Sequence, residues 1–142
     1  MHPLKLTLSG VLIGSFLVLG FGNNPAQAGQ EAYVPEVKKS QLTQTPLFGV
    51  ENREVIVQRF EFPPGFATAR HTHPGPVFVY VIQGELAVDV DGEQRQIVKA
   101  GELYQEPINR VMQGRNMSST DPLHIVVFQV NEPGKPLMIK AD

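Results

Sequence analysis

After residue 28 this chain is a succession of short β-branched and aromatic runs, each stopped by Gly, Pro or Asp, and no window of about 11 residues there carries a helical stripe. That punctuation leaves room for strands and little else. Residues 55–62 are rich in Val, Ile and Phe, and Pro63, Pro64 and Gly65 end the run. Proline donates no ladder hydrogen bond and glycine admits a tight turn. Residues 66–73 read as a second extended segment. Residues 77–82 are apolar at every position, the pattern of a strand covered on both faces, which places Phe78 and Tyr80 between layers. Gln83 and Gly84 turn the chain into residues 86–90, where Leu86, Val88 and Val90 share a face. Asp91-Gly92 is a strong hairpin signal. Further runs follow at 95–99, 102–106, 123–130 and 137–139. Residues 36–43 would suit one turn of helix, though nothing requires it. With 12 prolines and 13 glycines to supply turns, the pattern predicts a single all-β domain closed as a barrel or sandwich over residues 53–142. Residues 29–52 form an N-terminal extension to it.

The first 28 residues are set apart by their layout. A weakly basic start with Lys5 precedes an apolar stretch over 6–21, then a turn-prone piece, then Ala26-Gln27-Ala28. This is the order of a secretory signal peptide with cleavage after Ala28. The apolar stretch is shorter than the roughly 20 residues of a spanning helix. The expectation is a periplasmic or secreted protein, free of the membrane once cleaved.

Export permits disulfides, yet the 142-residue chain has no cysteine, so core burial alone must hold the fold. The formal charge of −2 falls to −3 when Lys5 leaves with the leader. Mild acidity without a basic stripe excludes nucleic acid and anionic lipid as expected partners. A homodimer formed through an exposed sheet edge is expected, because edge strands invite pairing.

Chemistry concentrates at His71-Thr72-His73. In a strand, side chains two apart leave the same face with Cα atoms roughly 6.5 Å apart. Two imidazoles so placed can converge on one ion about 2 Å from each nitrogen. Taken alone, such a pair is more often two solvent-facing histidines. His124 reads as an edge histidine, and Arg110 and Arg115 as solvated loop charges. Of Glu102, Tyr104 and Glu106, alternation puts all three on one face.

The spacing of the turn residues around the pair adds context. Gly65, His71, His73, position 77 and Gly84 resemble the first motif of the cupin superfamily, and Gly101, Pro107 and Asn116 resemble the second. The similarity spans roughly residues 53–130. It implies a small cupin-type double-sheet β-barrel, jelly-roll-like and often dimeric, with an ion held inside by three histidines and a carboxylate. The chain departs from that pattern at two ligand positions: Val77 stands where the glutamate belongs, and Met112 where the third histidine belongs. Asn109 replaces the second motif's glycine, a mild change because Asn tolerates positive φ.

Two readings of the altered site follow. His71, His73 and Met112 form a soft three-donor site that favours copper over iron or manganese. In the other, no metal binds, Val77 and Met112 line a pocket for a small organic molecule, and the histidines offer hydrogen bonds. No reaction is assignable on either. The alternatives from other classes are a metal-dependent enzyme of dioxygenase or isomerase type acting on a small organic substrate, and a non-catalytic interaction module.

Overall fold

The alternating runs become strands in the computed structural model, which describes residues 31–142. The leader therefore lies outside the described residues. In chain order the strands are β1 (Lys38–Pro46), β2 (Glu54–Phe62), β3 (His71–Thr72), β4 (Val77–Gln83), β5 (Glu85–Val90), β6 (Gln96–Lys99), β7 (Leu103–Glu106), β8 (Met112–Asn116), β9 (Leu123–Asn131) and β10 (Ile139–Lys140). They form two five-stranded antiparallel sheets, ordered β1-β2-β9-β4-β7 and β10-β3-β8-β5-β6. No helix occurs among the described residues. The protein is an all-β, double-sheet barrel.

The core lies between the sheets. In the first, β2 turns Phe60 and Phe62 inward, β9 turns Leu123, Ile125 and Val127, and β4 turns Val77, Val79 and Val81. The second sheet answers with Leu86, Val88, Val90, Val98 and Met112. Val81 and Leu123 are fully excluded from solvent. Each contributes about 2 kcal/mol relative to an exposed side chain.

Three segments differ from the sequence pattern. Residues 38–46 are a strand rather than a turn of helix, because β2 offers a free edge along which β1 pairs from Lys38↔Glu61 to Pro46↔Glu54. All nine β1 side chains are exposed, so no apolar period marks it. Residues 66–73 are extended for only two residues. Before them the chain crosses the barrel end, tied by Thr68 N–H to Gly114 O and Asn116 N–H to Phe66 O, both 2.9 Å. Finally, β4 is covered on one face only. Phe78 is half-buried, and Tyr80 and Ile82 face outward, 41% and 43% exposed.

Turn chemistry fixes the barrel ends. Asn109 adopts φ 56°, the left-handed conformation in which its replacement of glycine costs least. Gly75 is needed for close approach: a Cβ there would meet Val130 O at 2.3 Å. Asn116, 3% exposed, donates its side-chain amide to the carbonyls of Phe62, Pro63 and Asp121 at 2.9–3.1 Å and accepts from Ser118 N–H at 3.1 Å. It joins the turn after β2 to the turn before β9. Asn116→Ala leaves buried carbonyls without donors, and urea denaturation is expected to show a loss of about 2–3 kcal/mol.

Candidate metal centre

His71 lies in β3, whose ladder consists of His71↔Met112 on one side and two pairs with β10 on the other. His73 follows directly, its carbonyl accepting from Asn109 N–H at 2.9 Å. Both side chains point into the barrel, 4% and 3% exposed. The expectation that the two imidazoles share a face is met: the Nε2 atoms stand 3.1 Å apart, with the rings edge-on at 85°.

What aims them is the backbone. His71 Nδ1 lies 2.9 Å from Ala69 O, and His73 Nδ1 lies 2.9 Å from Leu137 O. A carbonyl oxygen can only accept, so both Nδ1 atoms carry the proton. Both Nε2 atoms then face one another in the interior. Glu106 Oε2 lies 3.0 Å from His73 Nε2. Contacts this short, out of water, are met either by a proton held along the His71–His73–Glu106 row or by a cation among them. Two nitrogens each about 2.1 Å from one ion, at an angle near 95°, stand about 3.1 Å apart. Imidazoles fixed by Nδ1–H bonds to backbone carbonyls are also the usual arrangement behind protein metal ligands.

Glu106 arrives from an unexpected strand. Val77, at the motif's glutamate position, is buried on β4, and its register partner on β7 is Glu106. Directly opposite residues on antiparallel strands share a face with Cβ atoms about 5 Å apart. Glu106 thus brings a carboxylate beside position 77 from the neighbouring strand. Among the described residues, no group of three or more His, Cys, Asp or Glu side chains stands in an arrangement that would hold a metal ion. Both close contacts run through His73 Nε2, so engaging an ion requires the Glu106 carboxylate to swing from the imidazole onto it.

Met112 is buried at 1% in the core, opposite His71 in the register, but the side chains lining the cavity at the imidazoles do not include it. That cavity, about 50 Å³, is lined by Pro35, Phe60, Leu86, Val127 and Met138 besides the imidazoles and Glu106. No lysine or arginine lines it. His124, Arg110 and Arg115 lie elsewhere: His124 near Arg59 on the outer face of β9, Arg110 paired with Glu93, and Arg115 with Asp89.

The terminal segments hold both imidazoles. Tyr33 N–H donates to Met138 O at 2.9 Å, next to the Leu137 carbonyl that orients His73. The Tyr33 hydroxyl accepts from Ala69 N–H at 2.8 Å, and its ring packs 5.6 Å from that of His71. Gln129 sets its amide 3.1 Å from His73 Nδ1. Glu106, Gln129 and Tyr33 were not assignable from the motif, since each reaches the site through strand register or a terminal segment.

Residues 58–129, just over half the chain, match the family described as Cupin domain. The chain belongs to the cupin family. Its solved neighbours bear out the cupin barrel. An uncharacterized conserved protein with a double-stranded β-helix domain from Klebsiella pneumoniae shares 22% identity at TM-score 0.55, over 79% of this chain and 90% of that one. A cupin 2 domain-containing protein from Halorhodospira halophila shares 19% at 0.60, over 75% and 70%. An oxalate oxidase shares 26% at 0.51, over 61% of this cupin and 46% of that chain. No curated protein matches the sequence.

Burial is the largest influence on His71 and holds its pKa below the ordinary 6.5, opposed by the bond to Ala69, while nearby His73 lowers it further. The folded pKa is depressed, so this contribution to stability is complete above 6.5 and is lost as pH falls from there toward the folded value. Thermal melts of the metal-free protein are expected to be level above pH 6.5 and to drop below it, with the His71 ring titrating below 6.5 by NMR. Tyr33→Phe strands the Ala69 N–H. It is expected to cost about 1 kcal/mol in denaturant melts and to shift the His71 ring resonances.

Proposed function

We propose that this cupin binds one divalent transition-metal ion through His71 Nε2, His73 Nε2 and the Glu106 carboxylate. The observation that carries the reading is the pair of Nδ1 contacts to the Ala69 and Leu137 carbonyls, which turns both Nε2 atoms toward each other, 3.1 Å apart, in a buried cavity. The preference for copper rested on Met112 as third donor and on the lack of a carboxylate. Glu106 removes both grounds. Two imidazoles and one carboxylate suit Fe²⁺, Mn²⁺ or Zn²⁺, and are the donor set of non-haem iron sites with open positions. A bound ion would supply Lewis acidity and a place for water or substrate. The protein supplies the rest: carbonyl-fixed imidazoles, a mobile carboxylate, and apolar walls of Phe60, Leu86 and Val127 that limit water beside them. The similarity to an oxalate oxidase supports small-molecule chemistry in such a barrel. The leader-like first 28 residues support a periplasmic or secreted location.

A second reading is favoured by the 3.0 Å contact between His73 and Glu106. There the cation is a proton, and the pair serves as an acid–base group toward a small ligand in the cavity.

Metal titration of the chelator-stripped protein separates the two. One Zn²⁺, Mn²⁺ or anaerobic Fe²⁺ per chain is expected, with binding lost in His73→Ala and weakened on the order of tenfold or more in Glu106→Gln. Met112→Leu is expected to leave affinity unchanged. Weakening in Met112→Leu alone, with preference for Cu⁺, restores the thioether site. Binding that persists in His73→Ala, or no stoichiometric binding, removes the metal reading.

A further inference from the structure

A second concavity, about 470 Å³, opens beside the loops that follow β3 and β9. It falls within the range of small-molecule pockets, roughly 300–1,000 Å³. The imidazole cavity, at about 50 Å³, does not. Pro74, Pro76 and Pro136 form walls of this groove, and Ile108, 45% exposed, adds an open apolar surface. Three pyrrolidine rings hold φ fixed on both sides, so the groove is formed before any ligand arrives. Its floor is close-packed. Val130 N–H donates to Pro76 O at 3.0 Å, and a Cβ at Gly75 would meet Val130 O at 2.3 Å.

The polar groups of the groove are as firmly placed. Asn131, 6% exposed, donates its side-chain amide to Glu132 O at 3.0 Å and to Lys135 O at 2.8 Å, which fixes the turn that carries Lys135. Arg53 follows Asn52, whose backbone adopts φ 53°, and donates to the Asn52 carbonyl at 2.7 Å. The same guanidinium stands 3.3 Å from the Glu132 carboxylate. Lys135 makes no ion pair among the described residues. Two cations and one carboxylate therefore leave the groove one positive charge in surplus, on a chain whose formal charge is −2.

We infer that this groove binds a small organic monocarboxylate with an apolar body, its carboxylate at Lys135 and Arg53 and its hydrocarbon part against Ile108 and the prolines. A single surplus charge matches one carboxylate and not two. The groove also shares a segment with the imidazole cavity: Pro136 and Ile139 line the groove, whereas Met138 lines the cavity. Leu137, in the same segment, accepts from His73 Nδ1–H at 2.9 Å, and Pro74 directly follows His73. A ligand held between Pro74 and Pro136 holds the two segments whose contact orients the ring. It favours the aligned imidazole, and by linkage whatever that imidazole binds favours the carboxylate.

Octanoate titrated into the chain from Gly29 onward, which contains every described residue, tests the inference by methyl and imidazole NMR. The protein is first stripped with chelator, so the outcome does not depend on an ion at the imidazoles. Saturable shifts of the Ile108, Val130 and Ile139 methyls are expected, with a Kd of about 0.1–1 mM and an accompanying shift of the His73 ring. Lys135→Gln is expected to weaken binding on the order of tenfold, as is Ile108→Asp, which sets a carboxylate against the ligand's own. Both positions are exposed, and either variant carries the test if the other does not fold. No saturable shift up to about 20 mM overturns the inference, since that is well beyond a millimolar Kd. So does octan-1-ol binding as tightly as octanoate, or an affinity that both variants leave unchanged. Shifts confined to the Leu86 and Val127 methyls overturn it too, because they place the probe in the imidazole cavity. Groove shifts with an unmoved His73 ring overturn the coupling and keep the site.

Discussion

The nine-residue pairing of Glu54–Phe62 with Leu123–Asn131 is the constraint from which both surfaces of the protein follow. Its unbroken register sends every second side chain inward, so Phe60, Phe62, Ile125 and Val127 close the interior while Gln129 reaches the imidazoles. The same register sends Val126 and Phe128 outward. A one-residue slip would exchange these sets and lose the core and the site together. The same β9 strand pairs with β4 from Gln129↔Val77 to His124↔Gln83, and β7 on the far side of β4 carries Glu106 to the cavity.

The site is costly to build in such an interior. Imidazoles and a carboxylate removed from water need partners for every polar atom. Ala69 O and Leu137 O satisfy the far sides of the rings. No buried side-chain nitrogen or oxygen among the described residues lacks a hydrogen-bond partner. What is left over is concentrated between the two Nε2 atoms, where the only close neighbours are each other and Glu106.

Much of this was legible in the sequence, and the remainder was hidden for identifiable reasons. Runs of β-branched residues and their Gly, Pro and Asp stops gave most strands to within a residue or two, because burial of one face imposes a period that composition records. The convergence of His71 and His73 followed from strand geometry alone. Strand β1 was hidden because its side chains are all exposed and its stability comes from backbone pairing. The outward placement of Tyr80 was misread because an apolar run does not record which of its faces is covered. Glu106 was hidden for a different reason. A motif tracks positions along the chain, whereas a cavity collects side chains from facing strands, so a carboxylate on β7 stands beside position 77 without holding that place in the pattern.

The short ladders around the imidazoles carry a dynamic consequence. His71 sits in a two-residue strand held by β10, itself only two residues long, and by the bonds from Tyr33, Lys140 and Ala141. So few bonds break at far lower free energy than the nine-residue ladder at the other sheet's centre. The barrel therefore has a soft corner and a rigid one. Fraying of the terminal segments would release the carbonyl that orients His73 long before it reached the nine-residue ladder, so the alignment of that ring is the first feature of the interior to be lost.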